Sequence, residues 1–128
     1  MAQRLVRKIC KECGKSTKIS PSLLNKIKSG LKDIPKAIEI PPLDSASEIP
    51  LAQGCKGCNF TGYRGRIGIF EAFLVDEEME KFILTSPSIS ALREKLVNKG
   101  MVTMYQDGLI KVLQGITTLE EVERVTGE

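Results

Sequence analysis

The sequence has no histidine and no tryptophan, and only 5% of its residues are aromatic. Without histidine there is no Ser-His-Asp or Cys-His catalytic pair, no His-containing zinc site and no imidazole switch near neutral pH. No stretch approaches the roughly 20 apolar residues that a membrane-spanning helix needs. The first eight residues, Met1-Ala2-Gln3-Arg4-Leu5-Val6-Arg7-Lys8, are basic but lead into no apolar signal-peptide core. The expectation is therefore a cytoplasmic chain without membrane insertion, in a reducing setting where structural disulfides are rare.

What is present is ordinary globular material: 128 residues, 41% of them hydrophobic and 27% charged. That is enough for one domain or two small subdomains. The net charge of +3 is unevenly spread. Residues 1–34 hold nine Lys/Arg against two Asp/Glu, a charge of +7, whereas residues 35–128 carry −4. A basic front can meet phosphate or acidic lipid, although a solvated basic face is the plainer reading.

Four cysteines form two pairs, Cys10-Lys11-Glu12-Cys13 and Cys55-Lys56-Gly57-Cys58. Each pair is followed by a residue that takes left-handed backbone geometry at low cost, Gly14 and Asn59. Two such knuckles brought together supply four sulfurs to a tetrahedral Zn²⁺. A site with four protein ligands leaves no position for water, so the ion would be structural. A dithiol redox pair, iron in the same four-sulfur geometry and four unlinked cysteines are the competing readings. Gly14-Lys15-Ser16 mimics the end of a phosphate-binding loop, but Ile9 stands where the pattern requires its first glycine.

Local signals divide the chain. A four-cysteine zinc-binding subdomain is expected over 1–75 and a compact helical subdomain over 76–128. Within the first, Ser20-Pro21 opens an inserted helix, about 20–34, with Leu23, Leu24, Ile27 and Leu31 on one face. The proline- and serine-rich stretch 35–53 reads as an irregular connection. Arg66 through Val75 is rich in β-branched and aromatic residues and reads as a strand, paired with a short strand before Cys55.

In the second part, Asp76 is placed to cap a helix with Met79, Phe82 and Ile83 inward. Ser88 or Ser90 starts the next, with Ile89, Leu92 and Leu96 inward. Thr103 with Gln106, and Thr118 with Glu121, form capping-box patterns for two more.

The run Thr61-Gly62-Tyr63-Arg64-Gly65-Arg66 follows the second knuckle. Its arginines suit a phosphate or carboxylate partner, or pair with surface carboxylates such as Glu71. Arg4, Arg7, Arg64 and Arg66 are the candidate interface residues.

Three stretches together carry a resemblance: Ala2 to Arg7; Gly54-Cys55-Lys56-Gly57-Cys58 continuing through Thr61-Gly62-Tyr63-Arg64-Gly65-Arg66-Ile67-Gly68-Ile69-Phe70-Glu71; and Gln106-Asp107-Gly108 to Gly115-Ile116-Thr117-Thr118-Leu119-Glu120-Glu121-Val122. The chain resembles the C-terminal part of the secretion ATPases, hexameric motors of type II secretion and type IV pilus assembly. The resemblance implies an α+β fold: a small four-cysteine zinc-knuckle subdomain with a short antiparallel β-hairpin and an inserted helix, then the helical subdomain. It implies zinc on Cys10, Cys13, Cys55 and Cys58.

It also implies ATP and Mg²⁺ only in an upstream core that this sequence does not contain. The chain is then expected to be an excised part of such a protein, inactive on ATP by itself. The implied partners are the ATPase core, neighbouring subunits of the hexamer and an inner-membrane platform protein. The implied location is cytoplasmic, peripheral to the inner membrane. A stand-alone zinc-ribbon nucleic-acid binder is the rival. The basic front favours it, whereas the scarcity of aromatic stacking residues and the acidic second part count against it.

Overall fold

The strands of this protein pair across long stretches of sequence. The computed structural model describes residues 1–127, so position 128 of the expected 76–128 region lies outside the described residues. The element order is β1 (Ala2–Ile9), β2 (Lys15–Lys18), α1 (Pro21–Gly30), β3 (Glu48–Leu51), β4 (Tyr63–Glu71), α2 (Glu77–Leu84), α3 (Ile89–Asn98), α4 (Met104–Leu113) and α5 (Leu119–Thr126). The fold is α+β, with two separate two-stranded antiparallel ladders, β1–β4 and β2–β3.

The strand pairing differs from the sequence expectation. β4 pairs with β1, in a register that sets Val6 opposite Ile67 and Ala2 opposite Glu71. The short strand before Cys55 is β3, and it pairs with β2 instead. β4 also stops at Glu71, not Val75, because the ladder ends where Ala2 meets Glu71. Beyond that point Leu74 and Val75 are exposed.

The helix caps follow the sequence closely. Ser20, Asp76, Ser88, Thr103 and Thr118 each accept a hydrogen bond from the backbone N–H three residues on, which satisfies an otherwise orphaned donor. Thr103 and Gln106 complete a reciprocal capping box. Thr118 and Glu121 do not, because the Glu121 carboxylate is taken up by arginines. Ile83 and Ile89 are exposed, contrary to the expected inward stripes. Ile89 is the first residue of α3, ahead of the turn that faces the core.

Two apolar clusters result. The larger joins Ile19, Ile27, Leu31 and Ile49 to Leu109, Ile110, Val112, Leu119 and Val122, so residues on both sides of position 76 share it. The smaller joins Met79, Leu96 and Met101, between α2 and α3. The helices α4 and α5 approach closely at Gly108, where a Cβ would stand 2.5 Å from Val122 Cγ1. Helix α4 is tied to β4 by two side-chain bonds. Asp107 accepts from the Phe70 N–H at 2.9 Å, and Glu71 accepts from the Met104 N–H at 3.0 Å.

Candidate metal centre

Both ends of the first knuckle are held before any thiol is considered. The Ile9 N–H donates to the Ile116 carbonyl and the Cys10 N–H to the Gly62 carbonyl, each at 2.9 Å. Thr117 Oγ1 donates to the Arg7 carbonyl at 2.8 Å. On the far side, β2 is held by its ladder with β3. The first knuckle is thus anchored to the α4–α5 connection and to the start of β4. The second knuckle is a short 3₁₀ turn, Lys56–Cys58, closed by Asn59 in the left-handed region at φ 55°. Asn59 does what the sequence suggests. Gly14 does not, since it is absent from the positive-φ residues. Its requirement is steric: a Cβ there would lie 2.4 Å from the Cys10 carbonyl oxygen.

These turns bring all four thiols together. Their sulfurs lie within 4.8 Å of one another. Cys10 and Cys55 are 3.9 Å apart, Cys13 and Cys58 3.8 Å, and Cys55 and Cys58 3.7 Å. Four sulfurs about 2.3 Å from one ion at tetrahedral angles stand about 3.8 Å apart. The donor set therefore fits a single tetrahedral cation without rearrangement of the backbone. A disulfide needs about 2.05 Å, and all four cysteines are free. Cys10 and Cys58 are buried, whereas Cys13 and Cys55 are partly exposed.

Backbone amides point at the sulfurs as they would at thiolates. The Gly62 N–H donates to Cys58 Sγ at 3.2 Å and the Cys55 N–H at 3.3 Å. The Gly54 N–H donates to Cys13 Sγ at 3.4 Å. Burial opposes ionisation of Cys58, but the two amides, together with hydrogen bonds from the Cys55 and Cys13 thiols, outweigh it and bring its pKa down to about 6. Burial dominates at Cys55, whose thiol is pushed up to about 12, and it also raises Cys13. A cation would offset the charge that four thiolates place together.

The four candidate interface arginines separate into two kinds. Arg7 is bound to the buried Glu121 and lies 4.3 Å over the Tyr63 ring. Arg64 pairs with Glu12 at 3.7 Å. Arg4 and Arg66 are exposed and make no hydrogen bond or ion pair from their side chains among the described residues. Glu71, the surface carboxylate considered as an arginine partner, is engaged with α4 instead. Sequence reasoning misses Glu12, although its place between two ligand-spaced cysteines is a signal.

The family model described as type II/IV secretion system protein matches residues 1–124. The chain belongs to that family. It is 39% identical over 122 residues to the type IV pilus assembly ATPase PilB of Thermus thermophilus, covering 95% of this chain and 13% of that protein. It is 39% identical over 132 residues to the type II secretion system ATPase E of Vibrio cholerae, covering all of this chain and 23% of that protein. The type II secretion system protein E of Pectobacterium carotovorum is 38% identical over 128 residues, again with 23% of its length covered. The resemblance read from the three sequence stretches is thereby shown. The chain spans less than a quarter of the length of these secretion and pilus-assembly relatives. No helix among the described residues is long and apolar enough to cross a membrane.

Proposed function

We propose that this chain is the zinc-bearing C-terminal region of a secretion or type IV pilus assembly ATPase, and that it supports the motor without catalysing its reaction. Cys10, Cys13, Cys55 and Cys58 hold one structural Zn²⁺. The ion supplies a cross-link between two knuckles separated by 41 residues, and the chain's own amides from Gly54, Cys55 and Gly62 orient the sulfurs for it. ATP and Mg²⁺ belong to the core of the longer protein, which powers assembly of pilins or pseudopilins as a hexamer on the cytoplasmic face of the inner membrane. Arg66, beside Arg7 across the β1–β4 ladder, and the exposed Arg4 and Arg64 are the residues that meet the core, a neighbouring subunit or an inner-membrane platform protein.

The observation that carries this reading is the near-tetrahedral spacing of four free thiols in a chain of this family. Elemental analysis of the purified chain should find about one zinc per chain and no stoichiometric iron. The thiols should resist a colorimetric thiol reagent until a strong chelator is added. A metal-free folded chain, or four reactive thiols in the untreated protein, would overturn the assignment.

A further inference from the structure

The thiol cluster has an unequal rim. Its buried sulfurs are Cys10 and Cys58, so an ion enters or leaves past the partly exposed Cys13 and Cys55. A carboxylate stands at that rim. Glu12 Oε2 lies 3.9 Å from Cys55 Sγ, accepting from its S–H, while Glu12 Oε1 lies 3.7 Å from Arg64 Nη1. Gly57 leaves room for it: a Cβ there would fall 1.8 Å from Glu12 Oε2, so a side chain at 57 would push the carboxylate aside.

Glu12 is 60% exposed and Arg64 66% exposed, so the pair is loose and its partners can part. A carboxylate oxygen is an acceptable zinc ligand alongside thiolates. Its reach overlaps that of the more accessible of the two thiols on the second knuckle.

We propose that Glu12 is an exchange ligand for the metal centre, with Arg64 as the residue that restrains it. With zinc bound, Glu12 would offer Oε2 in place of Cys55 Sγ as the ion is released, and would offer it first as an ion is taken up, before Cys55 completes the set. Arg64, paired with the other carboxylate oxygen, competes with the ion for Glu12, which makes the resident ion slower to leave. This inference rests on the zinc assignment above.

The test is stopped-flow transfer of zinc from the loaded chain to a chromophoric chelator, with equilibrium affinity measured in parallel. Glu12→Gln should slow release about tenfold, a barrier change of about 1.4 kcal/mol, and slow uptake equally, leaving affinity within about twofold. Arg64→Gln should speed release, and the Glu12→Gln/Arg64→Gln double variant should return to the slow rate of Glu12→Gln alone. Glu12→Asp, one methylene shorter, should also be slow.

Unchanged release in Glu12→Gln would overturn the proposal, as would an Arg64→Gln acceleration that persists in the double variant. A chain that never loads zinc would instead refute the metal assignment, so the two failures are distinguishable. Both positions are exposed, and circular dichroism of each loaded variant confirms that its fold is intact.

Discussion

Arg7 and Glu121 are 114 positions apart in the chain and share three hydrogen bonds. The Arg7 backbone N–H and Nη2 each donate to the carboxylate at 2.8 Å, and Nε donates at 3.0 Å. Arg124 adds two more bonds from within α5, at 2.8 and 2.9 Å. Glu121 is only 1% exposed. A buried carboxylate is tolerated because five donors replace its water. The pair fastens the last helix to β1, close to the point where the first knuckle begins.

Replacing that carboxylate should destabilise the chain without touching the metal site. Glu121→Gln keeps the shape but removes the charge, and should cost about 2 kcal/mol in denaturant unfolding. Zinc stoichiometry should stay at about one per chain. A loss below about 0.5 kcal/mol would mean that the pair contributes little beyond its desolvation cost.

Acid should expose the same interaction. Burial disfavours the charged form of Glu121, but the bonds from Arg124 and Arg7 outweigh it, and its pKa falls from 4.5 to about 2. The folded state then binds fewer protons than the unfolded chain in that window. Its contribution is fully present above about pH 4.5 and is lost as pH falls through about 2. The shift corresponds to at most about 3 kcal/mol, and solvent screening of the half-exposed arginines reduces this to about 2 kcal/mol. Melting temperature measured from about pH 5 to about pH 2 should fall less steeply in Glu121→Gln than in the unaltered chain. Parallel slopes would contradict the assignment.

The α4–α5 crossing predicts a rescue. Gly108→Ala gains helix propensity of about 1 kcal/mol but drives a methyl into Val122, so a net loss of about 1–2 kcal/mol is expected. Val122→Ala alone leaves a cavity in the larger cluster. The double variant should be more stable than the sum of the two single losses implies. Strict additivity would mean that the helices shift apart to absorb the methyl.

Chelation should act locally first. Without a cation the knuckles around 10–14 and 54–62 lose their cross-link, whereas α4 and α5 keep their shared apolar contacts. Hydrogen exchange after chelator treatment should quicken at Gly54, Cys55 and Gly62, whose N–H groups donate to sulfur in the intact site. The amides of Leu109 and Val112 should respond last. Uniform loss of protection would show instead that the whole chain unfolds as one unit.

ATP turnover by the chain alone is expected to match a protein-free control. The one Gly-Lys-Ser triplet sits in the first knuckle and β2, where the Gly14 N–H donates to the Cys10 carbonyl at 2.7 Å. That amide is not available to cradle phosphate. Turnover abolished by Lys15→Ala would refute this.

Local chemistry in the sequence was sufficient for the caps, the paired thiols and the left-handed turn at Asn59. Each depends on residues within a few positions of one another: a hydroxyl or carboxylate three residues before an amide, two thiols on one turn. The resemblance of three separated stretches was equally legible, because motif order survives without any knowledge of packing. Strand pairing was not legible. The basic stretches that form β1 and β2 do not read as strands, so β4 had only the short strand before Cys55 as a visible partner, and its true partner β1 lies more than 50 residues away. Nor does a capping-box pattern reveal that Glu121 will turn away from its own helix end to meet Arg7. Only the folded chain, by burying that carboxylate beside β1, decided where its charge would be answered, and only the same packing set Glu12 against Gly57 at the rim of the thiols.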